Sequence, residues 1–312
     1  MEDFDENSLI DMDVCVLNAL ELFINQGIPK LNLGNFKRPL AVGSGNAAVT
    51  GEIILEDKDA IFADEGTYKQ KLDSVKDIDG AILISASGGK HAPIIAKELK
   101  KRKIETRLLT CNKDAEAKAI IDQDKFFVFP KNKEPYTYNT STYMSMILGK
   151  TKEHPQKILD FIKNKIDPIV PKDFKKYKSF YLLVPTKFDS LREMLVTKFD
   201  ELFAGSNIKG RVYTPEQTKH AKNVYVPKGE LFIRFDFERE LKTKLTLPLP
   251  DNTKILNIPL PDNSNYAALM AISYYIVGFI QKQHKPYFKE NIVEYCKLAS
   301  KTFGSTIKPV VE

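Results

Sequence analysis

Residues 81–90 read Ala-Ile-Leu-Ile-Ser-Ala-Ser-Gly-Gly-Lys: four apolar residues running straight into two serines, two glycines and a lysine. The apolar run suits a strand buried on both faces. The glycines permit a tight turn, and Ala92–Arg102 resumes with apolar residues at helical spacing. Strand, polar turn and helix in immediate succession make one βα unit. The same alternation extends in both directions. Short apolar runs at Pro39–Val42, Ala60–Ala63, Thr106–Thr110 and Phe126–Phe129 read as strands. Ala47–Leu55, Thr67–Val75 and Ala115–Ile121 read as the helices between them. An opening helix is expected over residues 6–27 and a closing one over Tyr138–Gly149. Near-continuous apolar strands alternating with helices indicate a parallel sheet covered on both faces, wound by right-handed crossovers.

A lysine-rich stretch with Pro155, Pro168 and Pro171 follows, and residues 151–178 read as a connecting helix plus linker. A second alternation then begins: strand Phe180–Val184, helix Ser190–Phe203, and strands Arg211–Tyr213, Leu231–Phe235 and Lys254–Ile258. Helices Tyr266–Gln281 and Phe288–Lys301 finish it. The expected fold class is α/β, two three-layer αβα sandwiches with parallel sheets: residues 1–150, a linker at 151–178, and a more divergent lobe at 179–312. A chain of 312 residues is a natural length for two such domains.

Composition narrows the function classes. The net charge of +6 comes from 47 basic and 41 acidic residues, with the lysines spread rather than clustered. That balance suits a small anionic ligand and argues against nucleic acid. The longest apolar stretch, Ala267 to Ile280, is interrupted by Ser273 and Gly278 and is too short to span a bilayer, so no membrane partner is expected. The acidic opening MEDFDENSLIDMD reads as neither a signal nor a transit peptide. Cys15, Cys111 and Cys296 lie far apart, which reads as reduced thiols in a cytoplasmic protein. No His, Cys, Asp or Glu cluster has ligand spacing, so neither metal nor cofactor is expected.

In parallel α/β sheets, ligands bind outside the carboxyl ends of the strands. Two loops there carry the right chemistry. Gly43-Ser44-Gly45-Asn46 follows the first strand and opens a helix, whose N-terminal N–H groups face outward. Ser85-Ala86-Ser87-Gly88-Gly89-Lys90 brings hydroxyl donors, flexible backbone and a cation to one helix start. It lacks the spacing of a Walker-type loop, which argues against nucleotide hydrolysis.

The order GSGNAA, SASGG and then TCN at the end of the next strand resembles the sugar isomerase (SIS) domain, whose usual pattern is G-x-G-x-S, S-x-S-G, T-N. Glu134 to Tyr143 (EPYTYNTSTY) resembles the E-x-x-V-A-x-T-x-x-F segment of double-SIS enzymes, among them the isomerase part of glucosamine-6-phosphate synthase. The resemblance implies a sugar phosphate ligand held by Ser85 and Ser87, with Thr140 in the second matched segment; the loop chemistry adds Gly88 and Lys90, the latter standing where such enzymes often place a threonine. The resemblance also implies a homodimer, a reading that the apolar helix Tyr266–Phe279 supports on its own account. One departure stands out: the serine expected in the first loop is Ala47, leaving Ser44 or Asn46 to replace it.

In the second lobe the glycine loop is replaced by Pro185-Thr186-Lys187-Phe188. Double-SIS isomerases and phosphoglucose/phosphomannose isomerases carry a helical glutamate and a loop histidine. Lys198-Phe199-Asp200-Glu201 and Glu216-Gln217-Thr218-Lys219-His220 are similar to those segments. The resemblance therefore implies Glu201 and His220 as catalytic residues, with Asp200 an equally placed rival and the spacing about three residues longer than the family habit. Lys308 and Lys301 both fit the tail lysine of the synthase. The activity implied is aldose–ketose isomerisation of a hexose or amino-hexose phosphate through an enediol. A carboxylate would move the proton between adjacent carbons and a histidine would open the ring. Two other readings stay open: an inactive SIS protein that binds or senses a sugar phosphate, and an amino-sugar deaminase or deglycase.

Overall fold

The computed structural model describes residues 4–221, 229–236, 253–284, 287–304 and 306–311. By packing, the chain divides into two compact units. One comprises residues 22–132 and 141–152; the other comprises 1–21, 133–140 and 153–312.

The first unit is built on a five-stranded parallel sheet: β1 (Pro39–Val42), β2 (Ile61–Ala63), β3 (Gly80–Ile84), β4 (Thr106–Thr110) and β5 (Phe126–Val128), in the order β2-β1-β3-β4-β5. Helices α2 (Asn46–Ile54), α3 (Tyr68–Ser74) and α4 (His91–Lys101) make the crossovers; α1 (Met12–Gln26) precedes them. Leu40, Val42, Ala81, Leu83 and Leu108 on the strands pack with Tyr68, Ile95, Ala96 and Leu99 on the helices, so the apolar runs are core as expected. Residues 115–121 depart from the expected helix and hold only a 3-10 turn, Glu116–Ala119. Its apolar positions, Ala115, Ala117 and Ile121, are nonetheless buried. Helix α5 (Thr140–Thr151) follows a two-residue strand β6 (Glu134–Pro135).

The second unit repeats the winding with one strand fewer. Strands β7 (Ser179–Leu183), β8 (Lys209–Tyr213), β9 (Glu230–Phe235) and β10 (Lys254–Ile258) are parallel, in the order β10-β9-β7-β8. Tyr181 stacks on Tyr213 at 5.1 Å and on Phe232 at 4.6 Å, an aromatic row running across three strands. Helix α6 (Pro155–Phe161) opens the stretch expected as a connecting helix plus linker, and Ile158, Leu159, Ile162 and Ile166 are buried at helical spacing. That stretch is part of the core: its lysines face water while one apolar stripe packs inward.

Helices α7 (Arg192–Phe203) and α8 (Pro215–Ala221) flank β8 in sequence; His220 therefore sits on a helix where a loop was expected. Helices α9 (Tyr266–Gln283), α10 (Tyr287–Glu290) and α11 (Ile292–Phe303) close the unit. Nearly all of α9 is buried within the single chain, as expected of a helix apolar all round. That removes it as a ground for a dimer. A strand β11 (Val310–Val311) pairs antiparallel with β6, with Val310 opposite Pro135. No helix of the described residues is long and apolar enough to cross a membrane.

Candidate functional site

In the first sheet the chain leaves β1 for β2 on one side and returns to β3 on the other. The crevice between β1 and β3 is therefore the topological switch point, where open α/β sheets bind ligands. Val42 is paired with Leu83, so Gly43–Asn46 and Ser85–Lys90 both emerge from that one edge. Ser44, Asn46, Ser85, Ser87, Gly88 and Lys90 are thus brought to adjacent loops.

The serine loop is braced from behind. Thr110 donates its hydroxyl to the Ala86 carbonyl (3.0 Å), as does the Cys111 N–H (2.9 Å). Asn112 Nδ2 donates to the Ser87 carbonyl (3.0 Å), and Ala117 N–H to that of Gly88 (3.3 Å). The loop carbonyls are drawn toward the TCN segment and its 3-10 turn. On the serine side chains, Ser85 Oγ accepts from Gly88 N–H (3.1 Å) and Ser87 Oγ from Gly89 N–H (3.3 Å). Each serine oxygen is fixed as an acceptor, which leaves its hydroxyl hydrogen to donate. Lys90, exposed and at φ 50°, takes the N-cap position of α4 with no side-chain cap of its own.

Gly88 holds this geometry. Its φ is +60°, and an added Cβ would lie 2.3 Å from the Ala115 Cβ. Gly88→Ala is expected to push the serine loop off the TCN segment and to cost about 1–3 kcal/mol of stability. A thermal melt with an unchanged midpoint would show that the loop tolerates the shift.

In the first loop, Ser44 is exposed and its hydroxyl is bonded to the Glu65 carboxylate. Asn46 is buried, and its Oδ1 has no partner among the described residues. That orphaned oxygen accepts hydrogen bonds and cannot itself donate to a phosphate oxygen in place of the missing serine. Gly43, Ala47, Ala48, Gly51, Asp64 and Thr67 line a cavity of about 200 Å³ beside Asn46.

Thr140 belongs to the other packing unit. Its N–H is capped by Glu134 Oε2 (2.8 Å), while its own buried hydroxyl and that of Thr137 lack partners among the described residues. The second sheet has its switch point between β7 and β9, but the loop after β7 is engaged elsewhere. Thr186 bonds Glu216 (2.5 Å) and Lys187 Nζ bonds the Ser264 carbonyl (3.0 Å).

Glu201 is placed by a residue that sequence reasoning passed over. Lys198, one helical turn earlier, is wholly buried, and its ammonium donates to the Thr137 carbonyl (2.6 Å) and to Glu201 Oε2. A buried lysine is rare unless paired. Its signal in the sequence was the i, i+3 Lys–Glu spacing on an otherwise apolar helix face. Asp200 is exposed, so Glu201 is the acid facing the interior.

Two phenols sit close to the Glu201 charge. Burial first, and then that charge, pushes the Tyr136 and Tyr295 hydroxyls above the ordinary phenol range. The chain terminus is tied to the same segment: Tyr136 N–H donates to the Pro309 carbonyl (2.9 Å), which puts the exposed Lys308 beside it in sequence. His220 is exposed and makes no hydrogen bond or ion pair among the described residues, with Glu201 or otherwise. No group of three or more His, Cys, Asp or Glu suited to a metal ion occurs among the described residues.

Solved structures carry the same fold as these two windings of parallel strands. The chain is similar to glucosamine-6-phosphate deaminase from Thermotoga maritima, with a TM-score of 0.62 and 18% identity over 87% of this chain and 94% of that one. It is also similar to the C-terminal domain of glucosamine-fructose-6-phosphate aminotransferase from Francisella tularensis (0.57, 13%, 86% and 92%). A third likeness is to tagatose-6-phosphate ketose/aldose isomerase from Escherichia coli (0.57, 16%, 88% and 88%). At these identities the likeness is one of fold. No protein-family model matches the sequence, and neither does any curated relative.

Proposed function

We propose that the protein binds a sugar phosphate and interconverts its aldose and ketose forms. The observation that carries this reading is the pair of loops at the β1–β3 switch point, with two serine hydroxyls free to donate, a glycine backbone and a lysine at a helix start. Hydroxyl donors and a cation are what a phosphate dianion binds. In this reading Glu201 moves the proton between adjacent carbons, His220 opens the ring, and Lys308 reaches the sugar from the tail.

Replacing Ser85 and Ser87 together by alanine is expected to weaken sugar-phosphate binding at least tenfold, since a hydrogen bond to a charged group contributes roughly 1.5–3 kcal/mol. Calorimetric titration of the folded double variant tests it, and unchanged affinity would refute the cradle.

A second reading, a sugar-phosphate sensor without catalysis, is favoured by Ala47 in place of the family serine and by the exposed His220, which has no partner among the described residues. Proton exchange at the sugar carbon, followed by NMR in deuterated water across hexose and amino-hexose phosphates, separates the two. Release of ammonia from an amino sugar in the same tubes would point instead to the deaminase.

A further inference from the structure

We propose that the first loop, Gly43–Asn46 with Glu65 bonded to it, is an acceptor subsite that binds the protonated amine of an amino-sugar phosphate while the serine loop holds the phosphate. The inference rests on the serine loop as the phosphate cradle and names the substrate class that the neighbouring loop selects.

The two loops at the β1–β3 switch point differ in polarity. Ser85 Oγ and Ser87 Oγ already accept from the Gly88 and Gly89 N–H groups, so each offers a ligand its hydrogen. On the first loop the Ser44 hydroxyl hydrogen is engaged, because it is donated to Glu65 Oε2. Backbone donors there are engaged as well. Gly43 N–H donates to the Ala63 carbonyl (3.1 Å), Ala47 N–H to that of Ser44 (3.1 Å) and Ala48 N–H to that of Gly45 (2.9 Å). The unused side-chain oxygens are acceptors. They are the Ser44 oxygen, the Glu65 carboxylate and Asn46 Oδ1, which has no partner among the described residues in a side chain only 7% exposed. A phosphate dianion brings no hydrogen to these atoms and meets a like charge at Glu65. An ammonium, with three donors and the opposite charge, suits them.

Glu65 is the acid open to a ligand. Its neighbour Asp64 is occupied at the start of α3, where Oδ1 accepts from Gly66 N–H (2.9 Å), Thr67 N–H (2.8 Å) and the Thr67 hydroxyl (2.8 Å). Beyond Ser44, the Glu65 side chain makes no hydrogen bond or ion pair among the described residues, Lys69 one turn later included. Glu65 also lines a cavity of about 230 Å³ with Lys69, His91, Ile94 and Ile95. His91 directly follows Lys90, so one wall of that cavity continues from the serine loop. The bond from Ser44 ties Glu65, on the cavity's other side in sequence, to the first loop. All of these residues belong to one packing unit.

The test is calorimetric titration at neutral pH with glucosamine 6-phosphate, glucose 6-phosphate and inorganic phosphate as probes. The two sugars carry the same phosphate, so the ratio of their affinities reads the amine. The wild type is expected to favour the amino sugar about fivefold, as an exposed ion pair would, and added salt should shrink that ratio. Glu65→Gln is an exposed change that removes the charge and keeps an acceptor oxygen. It is expected to abolish the preference by weakening the amino sugar, with glucose 6-phosphate and inorganic phosphate little changed. Equal binding of both sugars by the wild type, or a preference that survives in Glu65→Gln, overturns the inference. So does a preference that vanishes because glucose 6-phosphate and inorganic phosphate bind more tightly, since the first loop would then be a phosphate site that Glu65 screens. In those cases the cradle stands if replacing Ser85 and Ser87 by alanine weakens every probe. If the wild type binds neither sugar phosphate, or the double serine variant binds both as well as the wild type does, the cradle falls and this inference with it.

Discussion

Glu201→Gln is expected to lower the rate of sugar-carbon proton exchange by roughly 10²–10⁴-fold while sugar-phosphate affinity stays within a few-fold. The amide keeps the size and the hydrogen-bonding oxygen of the acid but cannot accept the proton. Asp200→Asn is the internal control. On an α-helix adjacent residues point about 100° apart, and Asp200 is exposed where Glu201 is partly buried against Lys198. Asp200→Asn is therefore expected to leave exchange unchanged. Stopped exchange in Asp200→Asn with normal exchange in Glu201→Gln would move the base by one position. Normal exchange in both would remove the carboxylate mechanism.

Why the fold could be read in advance is clear from the first sheet. Leu40, Val42, Leu83 and Leu108 lie in short apolar runs because both sheet faces are covered, and a doubly covered strand has no polar alternation to blur its limits. Ser85–Lys90 was legible for the same reason, as a polar break between an apolar strand and a helix. Other features depend on partners distant in the chain. Glu134–Pro135 and Val310–Val311 make a two-strand ladder that no local pattern signals, because each strand is two residues long. Residues 151–178 were legible as a connecting helix plus linker from their prolines and lysines, but not the burial of Ile158, Ile162 and Ile166 along that helical stretch. Lys198 was hidden because charge on a helix ordinarily means solvent. Its burial is made tolerable by Glu201 together with the Thr137 carbonyl, and the latter lies 61 residues away in the chain.

That arrangement sets an asymmetry in stability. The Lys198 side chain is 0% exposed and that of Glu201 is 27% exposed. Removing the acid leaves an ammonium that water cannot reach, with only neutral acceptors. Removing the lysine leaves a carboxylate that water can reach, plus one unpaired carbonyl. Glu201→Gln is therefore expected to cost about 3 kcal/mol, near the range for stranding a buried charge. Lys198→Met, which fills the same space with an apolar chain, is expected to cost about 1–2 kcal/mol, chiefly for the Thr137 carbonyl. The double variant should resemble Lys198→Met alone and so be more stable than Glu201→Gln, because neither charge remains to be desolvated. Urea midpoints at neutral pH read all three. The double variant also separates folding from chemistry: it should recover stability while proton exchange stays as low as in Glu201→Gln. Recovery of exchange along with stability would mean that Glu201 holds α7 in place and takes no proton. Lys198→Met proving the more damaging single change would mean that the ammonium is stabilised by the protein more strongly than its two acceptors account for.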